Sequence, residues 1–421
     1  MLTTKPRGTN DILPSKIEKW HFIEQTIQEL CALYLYQEIR TPIFEHTELF
    51  LRGVGKTTDI VDKEMYTFLD KGERSLSLRP EGTAAVVRAY IENKMQANPQ
   101  PTKLYYLGPM FRYSRPAAGR YRQFHQFGVE VFGSQEPAMD ADVIAFCMNI
   151  FKKLGLKNLA LHINSVGCEK CRPVHKEKLI SYLEKNFAEL CTTCQERFAT
   201  NPLRIFDCKN EHCQELIENA PTITQCLCEE CDNHLQQVEK YLRAIGLEYI
   251  LDEHLVRGLD YYTKTAFEII VEGIGAGSSI GGGGRYDRLV EECGGTDTPG
   301  IGFAIGLERV ILALEEQNIS IPSKKTSKVF VINMGDEQAE IAFLLLAKLR
   351  AAGIVADKDF LARSFKNQMK YANKHEFTYV IIIGETEIET GNVPIKNMIT
   401  GTQTIVAIID VVEYLTRLEG E

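Results

Sequence analysis

The chain has 421 residues, too many for one hydrophobic core and enough for two or three domains. Hydrophobic residues make up 44% and charged residues 25%, the balance of a globular protein; no apolar run approaches the ~20 residues of a membrane span, and a membrane partner is not expected. A net charge of −9 gives no overall attraction to a polyanion, so nucleic-acid binding would have to rest on local clusters such as Arg112, Arg115, Arg120 and Arg122, or Lys324, Lys325 and Lys328. The opening MLTTKPRGTNDILP shows no apolar stretch after its basic residues, so a cytoplasmic rather than a secreted protein is expected.

In chain order, apolar spacing predicts a long amphipathic helix over roughly Ser15 to Tyr36. GVGKTT at 53–58 suggests a phosphate loop, but that motif needs glycine where Phe50 stands. Glu81 and Thr83 in LRPEGTA, and Glu130 further on, are polar groups among apolar neighbours, as consistent with helix caps and satisfied buried groups as with ligand binding. In GPMFRYSRPAAGRYRQFHQFGVEVFG (108–133), strand-like flanks enclose a loop, so a hairpin presents several guanidiniums. Their forks match phosphate oxygens, although a solvated hairpin fits the residues equally well.

LALHINSV alternates like a half-buried strand, and residues 169–250 are Cys-rich, charged and helical in pattern. Strands return in 251–320. There LVRGLDYYTKTAFEI resembles a pocket wall for a small polar ligand, or else a buried aromatic strand. GGGGRYD follows, then a strand–turn–helix carrying Arg309. These three segments read as one domain (1–168 and 251–320) interrupted by an insertion. Residues 319–328 read as a linker, in which KTSK (325–328) has no partner motif for nucleotide binding. A clean β-α-β-α-β series then makes a separate α/β domain over 328–421.

Taken together, PRGTNDILP, RTPIFEHTELF, FRYSRPAAGRYRQFHQ, LVRGLDYYT, GGGRYD and GFAIGLER resemble, in order and over nearly the whole chain, the histidyl-tRNA synthetases, a class II family. The resemblance implies an α+β fold: an antiparallel-sheet catalytic core, a helical Cys-rich insertion and a C-terminal α/β anticodon-binding domain. It implies a homodimer through the first motif. It also implies activation of histidine by ATP with Mg²⁺ and transfer to the histidine tRNA. Arg112 would hold the α-phosphate, Arg309 would lie against the γ-phosphate or adenine, and Arg257 would act as the catalytic cation. Preorganised cations offset the charge that develops when a carboxylate attacks a phosphate. Glu81, Thr83 and Gln126 would bind the α-amino group of histidine.

Neutral imidazole offers one donor and one acceptor on opposite ring nitrogens, which Glu130 and Tyr262 would meet, with Tyr261 and Tyr286 completing the wall. The family usually reads R-x-E in its second motif; here Ser114 stands at the acidic position facing adenine, and Ala117 replaces a usual Gln. Arg115 and Arg120 would contact the tRNA acceptor end. The insertion would lie over the acceptor stem, and Lys366, Lys370 and Lys374 would form one basic face of the anticodon-binding domain. A histidine-sensing relative that makes no adenylate would share the fold, but such relatives typically lose the C-terminal domain and the catalytic arginines, which this chain keeps. Finally, C-x₂-C pairs at Cys168/Cys171 and Cys191/Cys194 have zinc-ribbon spacing. They suggest one structural zinc on those four, with Cys208, Cys213, Cys228 and Cys231 as a second set; reduced cysteines used as small apolar residues are the alternative.

Overall fold

The computed structural model describes residues 3–55, 58, 60–271, 279–322 and 327–420; Lys56 and Thr57 of GVGKTT, and Lys324 and Lys325 of the linker, lie outside them. Two compact units emerge, Met1–Ile321 and Pro322–Glu421. An eight-stranded sheet organises the first. Its order is Gln37–Glu38, Thr102–Phe111, Gln123–Phe132, Gly300–Gly306, Ser279–Arg285, Thr263–Val271, Leu159–Ser165 and Ile250–Leu251. The inner strands pair antiparallel, while the two-residue edge strands join in parallel.

Period-two alternation divides the sheet into two faces. Phe127, Val129 and Val131 point to one side with Phe267, Ile269, Ile301 and Phe303. Four helices cover that side and bury Trp20, Ile23 and Ile27 (Pro14–Leu33), Phe146 and Phe151 (Pro137–Lys153), Val238 and Leu242 (Glu229–Ala244), and Val310 and Leu314 (Leu307–Glu316). Each such side chain contributes about 1.5–3 kcal/mol on burial. Gln126 and Glu130 share the opposite face with Leu104, Tyr106 and Met110, facing the helix Thr83–Glu92. The first helix stops three residues short of expectation: after Leu33 the chain turns, and Leu35 takes a left-handed φ of 60° that ends the spiral.

The insertion folds as the helices Cys171–Leu183, Thr192–Thr200, Glu211–Ile217 and Glu229–Ala244 with short 3₁₀ turns between them. Its last helix is tied to the sheet by a buried ion cluster. His234 Nε2 lies 2.8 Å from Asp140, and Asp140 also accepts from Thr265 Oγ1 and from the fully buried guanidinium of Arg285. Burial alone would raise the Asp140 pKa, but Arg285 and His234 outweigh it and leave it lowered.

In the second unit a five-stranded sheet runs Val355–Lys358, Lys328–Asn333, Tyr379–Ile383, Asn392–Asn397 and Gln403–Ala407, the first three parallel and the last two antiparallel. The β-α-β-α-β series thus continues into an antiparallel hairpin and a final helix Val411–Gly420 that the alternation in the sequence did not signal. Lys366, Lys370 and Lys374 stand exposed on the helix Phe365–Lys374, which buries Gln368 and Ala372 on its other side.

Candidate active site

Beside the helix Thr83–Glu92, the rest of the second face floors a cleft of about 400 Å³. Glycine makes that floor usable. Gly302 pairs opposite Glu130, and a Cβ at 302 would collide with the Glu130 carboxylate. A Cβ on Gly282 would sit 2.7 Å from Phe267 O and 2.8 Å from Arg257 Nη1. The glycine run therefore serves close approach: charged side chains lie flat on bare backbone.

At the deep end, Glu130 is 1% exposed and accepts from Thr83 Oγ1 at 2.7 Å and from the Tyr286 hydroxyl. Burial pushes its carboxyl up to about 8, although the Thr83 and Tyr286 bonds oppose the rise. The rings of Tyr261 and Tyr262 are tilted at 48° with centroids 4.7 Å apart, and Tyr261 meets Tyr286 edge-on at 5.6 Å. Glu81 has two jobs: its carboxylate accepts from Thr83 N (2.6 Å) and Ala84 N (2.9 Å), capping the helix Thr83–Glu92, and it lines the cleft. Burial raises its pKa as well. The carbonyl oxygen of the Gln126 side chain is buried with no hydrogen-bond partner among the described residues. Gln126 lines the cleft, so this oxygen can accept from a ligand donor there.

Cations occupy the rest. Arg112 donates from Nε to Pro80 O at 2.7 Å and lies 5.3 Å from the Phe124 ring. Arg309 donates to Ser279 O at 2.6 Å. Arg257 Nη1 stands 3.1 Å from Glu268. Burial lowers the pKa of Arg112 and Arg309, whereas at Arg257 the nearby Tyr262 and Glu268 outweigh burial and leave it raised.

The structure thus brings Glu81, Thr83, Arg112, Ser114, Arg120, Gln126, Glu130, Arg257, Tyr261, Tyr262, Tyr286 and Arg309 to one cleft. Ser114 is buried there, 4% exposed. Arg120 pairs with Glu64 at 3.0 Å, and Arg115 is exposed outside the cleft lining. The four cysteines of the expected zinc set do not share a site. Cys168 and Cys171 converge with Cys228 and Cys231, while Cys191 and Cys194 converge with Cys208 and Cys213. The expected set paired the C-x₂-C units by order in the chain. The fold instead brings the insertion's last helix back beside its first, so the outer pairs meet each other.

Sequence reasoning missed Tyr106, whose ring fills the space over Gly82 and Gly128, and Glu308, which accepts from His125 N at 2.9 Å. It also missed Glu268. Its charge among the apolar residues of AFEIIV was a visible signal, though its partner Arg257 was not.

An antiparallel sheet backed by helices on one side, with an open face where arginines replace a glycine-rich phosphate loop, defines the catalytic domain of class II aminoacyl-tRNA synthetases. Residues 8–310 match the family model described as histidyl-tRNA synthetase, and residues 328–418 match an anticodon binding domain. The chain belongs to the histidyl-tRNA synthetase family. A histidine–tRNA ligase of Moorella thermoacetica is 59% identical over 419 residues, covering 100% of this chain and 99% of the relative. Its counterpart in Desulforamulus reducens is 58% identical over 415 residues, covering 99% of each. The crystal structure of apo histidyl-tRNA synthetase from S. aureus superimposes with a TM-score of 0.84 at 46% identity, covering 98% of this chain and 99% of that one.

Proposed function

We propose that this chain is a histidine–tRNA ligase whose cleft joins histidine to AMP before handing it to tRNA. The observation that carries the assignment of roles is Glu130: a buried carboxyl walled by tyrosines, in the same cleft as four arginines. Glu130 accepts from one imidazole nitrogen and Tyr262 meets the other. An apolar analogue would leave these groups unpaired, a penalty that supports discrimination of roughly 10⁴–10⁵ without editing. Glu81, Thr83 and the orphaned Gln126 oxygen take the α-amino group. The histidine carboxylate oxygen then attacks the α-phosphorus of ATP, the bond to the bridging oxygen breaks, and pyrophosphate leaves. Arg257 and Arg112 stabilise the charge on the α-phosphate, and Arg309 holds the triphosphate or adenine end.

Glu268, a carboxylate 3.1 Å from Arg257, would supply an oxygen ligand for a Mg²⁺ bound together with the substrate phosphates. When bound, the ion neutralises phosphate charge. In the second step a ribose hydroxyl at the tRNA 3′ end attacks the carbonyl of the adenylate and AMP leaves. Arg115 and Arg120 serve the acceptor end, the insertion lies over the acceptor stem, and Lys366, Lys370 and Lys374 contribute to anticodon-side binding.

A homodimer is part of the reading. The small sheet Phe44–His46, Ser75–Leu78, Thr67–Leu69 leaves Phe44 49%, Phe68 45% and Leu69 66% exposed, an apolar surface suited to a second copy. No helix of the described residues is long and apolar enough to cross a membrane, in keeping with a cytoplasmic location. The test is histidine-dependent exchange of pyrophosphate into ATP by wild type and Arg257→Ala. Exchange that requires histidine and falls about 10²–10³-fold in the variant is expected. Absence of exchange by folded wild type would favour a histidine-sensing relative instead.

A further inference from the structure

The insertion is poor in core. Its own cluster rests on a few residues such as Leu179, Leu183, Leu190, Ile205 and Ile217, and three of its buried members are cysteines. A lobe of this size needs reinforcement from disulfides or metal. Disulfides are not what the thiols form. All twelve cysteines are free, and Cys168 Sγ lies 3.6 Å from Cys171 Sγ, well beyond a bond of about 2.05 Å.

We propose that the insertion carries two independent structural zinc ions, one on Cys168, Cys171, Cys228 and Cys231 and the other on Cys191, Cys194, Cys208 and Cys213. Within each set the sulfurs all lie within 4.8 Å of one another. A tetrahedral zinc with bonds of about 2.3 Å sets thiolates about 3.8 Å apart. Cys168 to Cys228 and Cys191 to Cys208 are both 3.8 Å. A four-iron cluster, whose thiolates surround a cube of iron and sulfide, requires wider spacing. Backbone amides already point at the sulfurs: Cys228 N donates to Cys171 Sγ at 3.1 Å and Cys191 N to Cys213 Sγ at 3.2 Å. On binding, each thiol releases its proton to solvent and each ion takes four thiolates.

The two sites do different work. The first joins the start of the insertion to the helix that returns it to the core. Arg172, next to Cys171, donates from Nε to Val166 O at 3.1 Å and from Nη2 to Tyr262 O, so that site clamps the backbone behind the pocket wall. The second staples the outer lobe, within its small core.

Zinc in the purified, untagged, extensively dialysed full chain should measure two per chain by plasma mass spectrometry. Cys194→Ser and Cys231→Ser should each retain one, and Cys226→Ser, outside both sets, should retain two. Should either site variant fail to fold, titration of wild type with a mercurial thiol reagent should release both zinc ions over eight thiols, read with a zinc-binding dye. No zinc, a single zinc in wild type, iron in place of zinc, or full zinc content in Cys194→Ser or Cys231→Ser overturns the proposal.

Discussion

Replacing Glu130 with Gln separates what the deep end of the cleft costs the fold from what it gives the reaction. The carboxyl is held near 8 by burial, with Thr83 and Tyr286 only partly opposing, against an ordinary 4.5. Below pH 4.5 both folded and unfolded chains carry the proton, and the group's contribution is fully present. As pH rises, the unfolded chain ionises freely while the folded chain keeps its proton, so stability is lost up to about pH 8 and then levels off. At about 1.4 kcal/mol per tenfold change in proton affinity, that window is worth up to about 5 kcal/mol. Gln keeps the size and one acceptor oxygen but does not titrate. The variant should therefore become progressively more stable than wild type between pH 5 and 8. Urea unfolding followed through Trp20, the single tryptophan and a member of the catalytic core, reads this directly, and groups common to both proteins cancel in the comparison. The same variant should lose roughly 10–100-fold in kcat/KM for histidine, since Gln offers one acceptor oxygen where Thr83 Oγ1, the Tyr286 hydroxyl and the imidazole N–H all donate, and a buried donor left unpaired costs about 1–3 kcal/mol. A stability difference that stays flat from pH 5 to 8 would refute the raised pKa. Unchanged histidine kinetics would remove Glu130 from imidazole recognition.

Three further outcomes are expected. Gly282→Ala should cut pyrophosphate exchange by at least about tenfold, because the new methyl meets both Phe267 O and the Arg257 guanidinium; an alanine variant with wild-type exchange contradicts the floor described for Arg257. Leu69→Glu, on the exposed small sheet, should convert a dimer to a monomer in sedimentation velocity, and a persistent dimer places the interface elsewhere. Arg285→Met should lower the stability of the catalytic unit by about 3–5 kcal/mol, because Asp140 is then a buried carboxylate that has lost its guanidinium partner; near-wild-type unfolding contradicts the ion cluster as a tie between insertion and sheet.

Much of the site was legible because its signals are local. The arginine-dense hairpin, the glycine run and the tyrosine pair are each visible within a dozen residues, but singly they fit a solvated hairpin or a buried strand as well; the resemblance carried by their order along the chain assigned them to one site, and the cleft lining draws on all three. Polar residues were harder. Glu81 reads as a helix cap or a ligand group, and the structure makes it both, since its carboxylate caps Thr83–Glu92 from inside the cleft. The α/β domain showed its parallel half plainly, whereas its closing strands Asn392–Asn397 and Gln403–Ala407 lacked a strong apolar alternation: Thr404, Ile405 and their neighbours pair at an exposed edge.

By itself, the sequence determined the order of most elements up to the closing hairpin and last helix, the faces of the strands and the kinds of chemistry available, because period, turn residues and residue type are properties of short segments. Tertiary structure decided partnership. Arg285 meets Asp140, Arg257 meets Glu268, and Cys168 joins Cys228 rather than Cys191. Those pairings depend on how distant segments return to one another, which no local spacing encodes. The Glu130 carboxyl illustrates the same divide. Its identity is written in the chain, but its proton is held only because a sheet, a helix and three tyrosines exclude water from it.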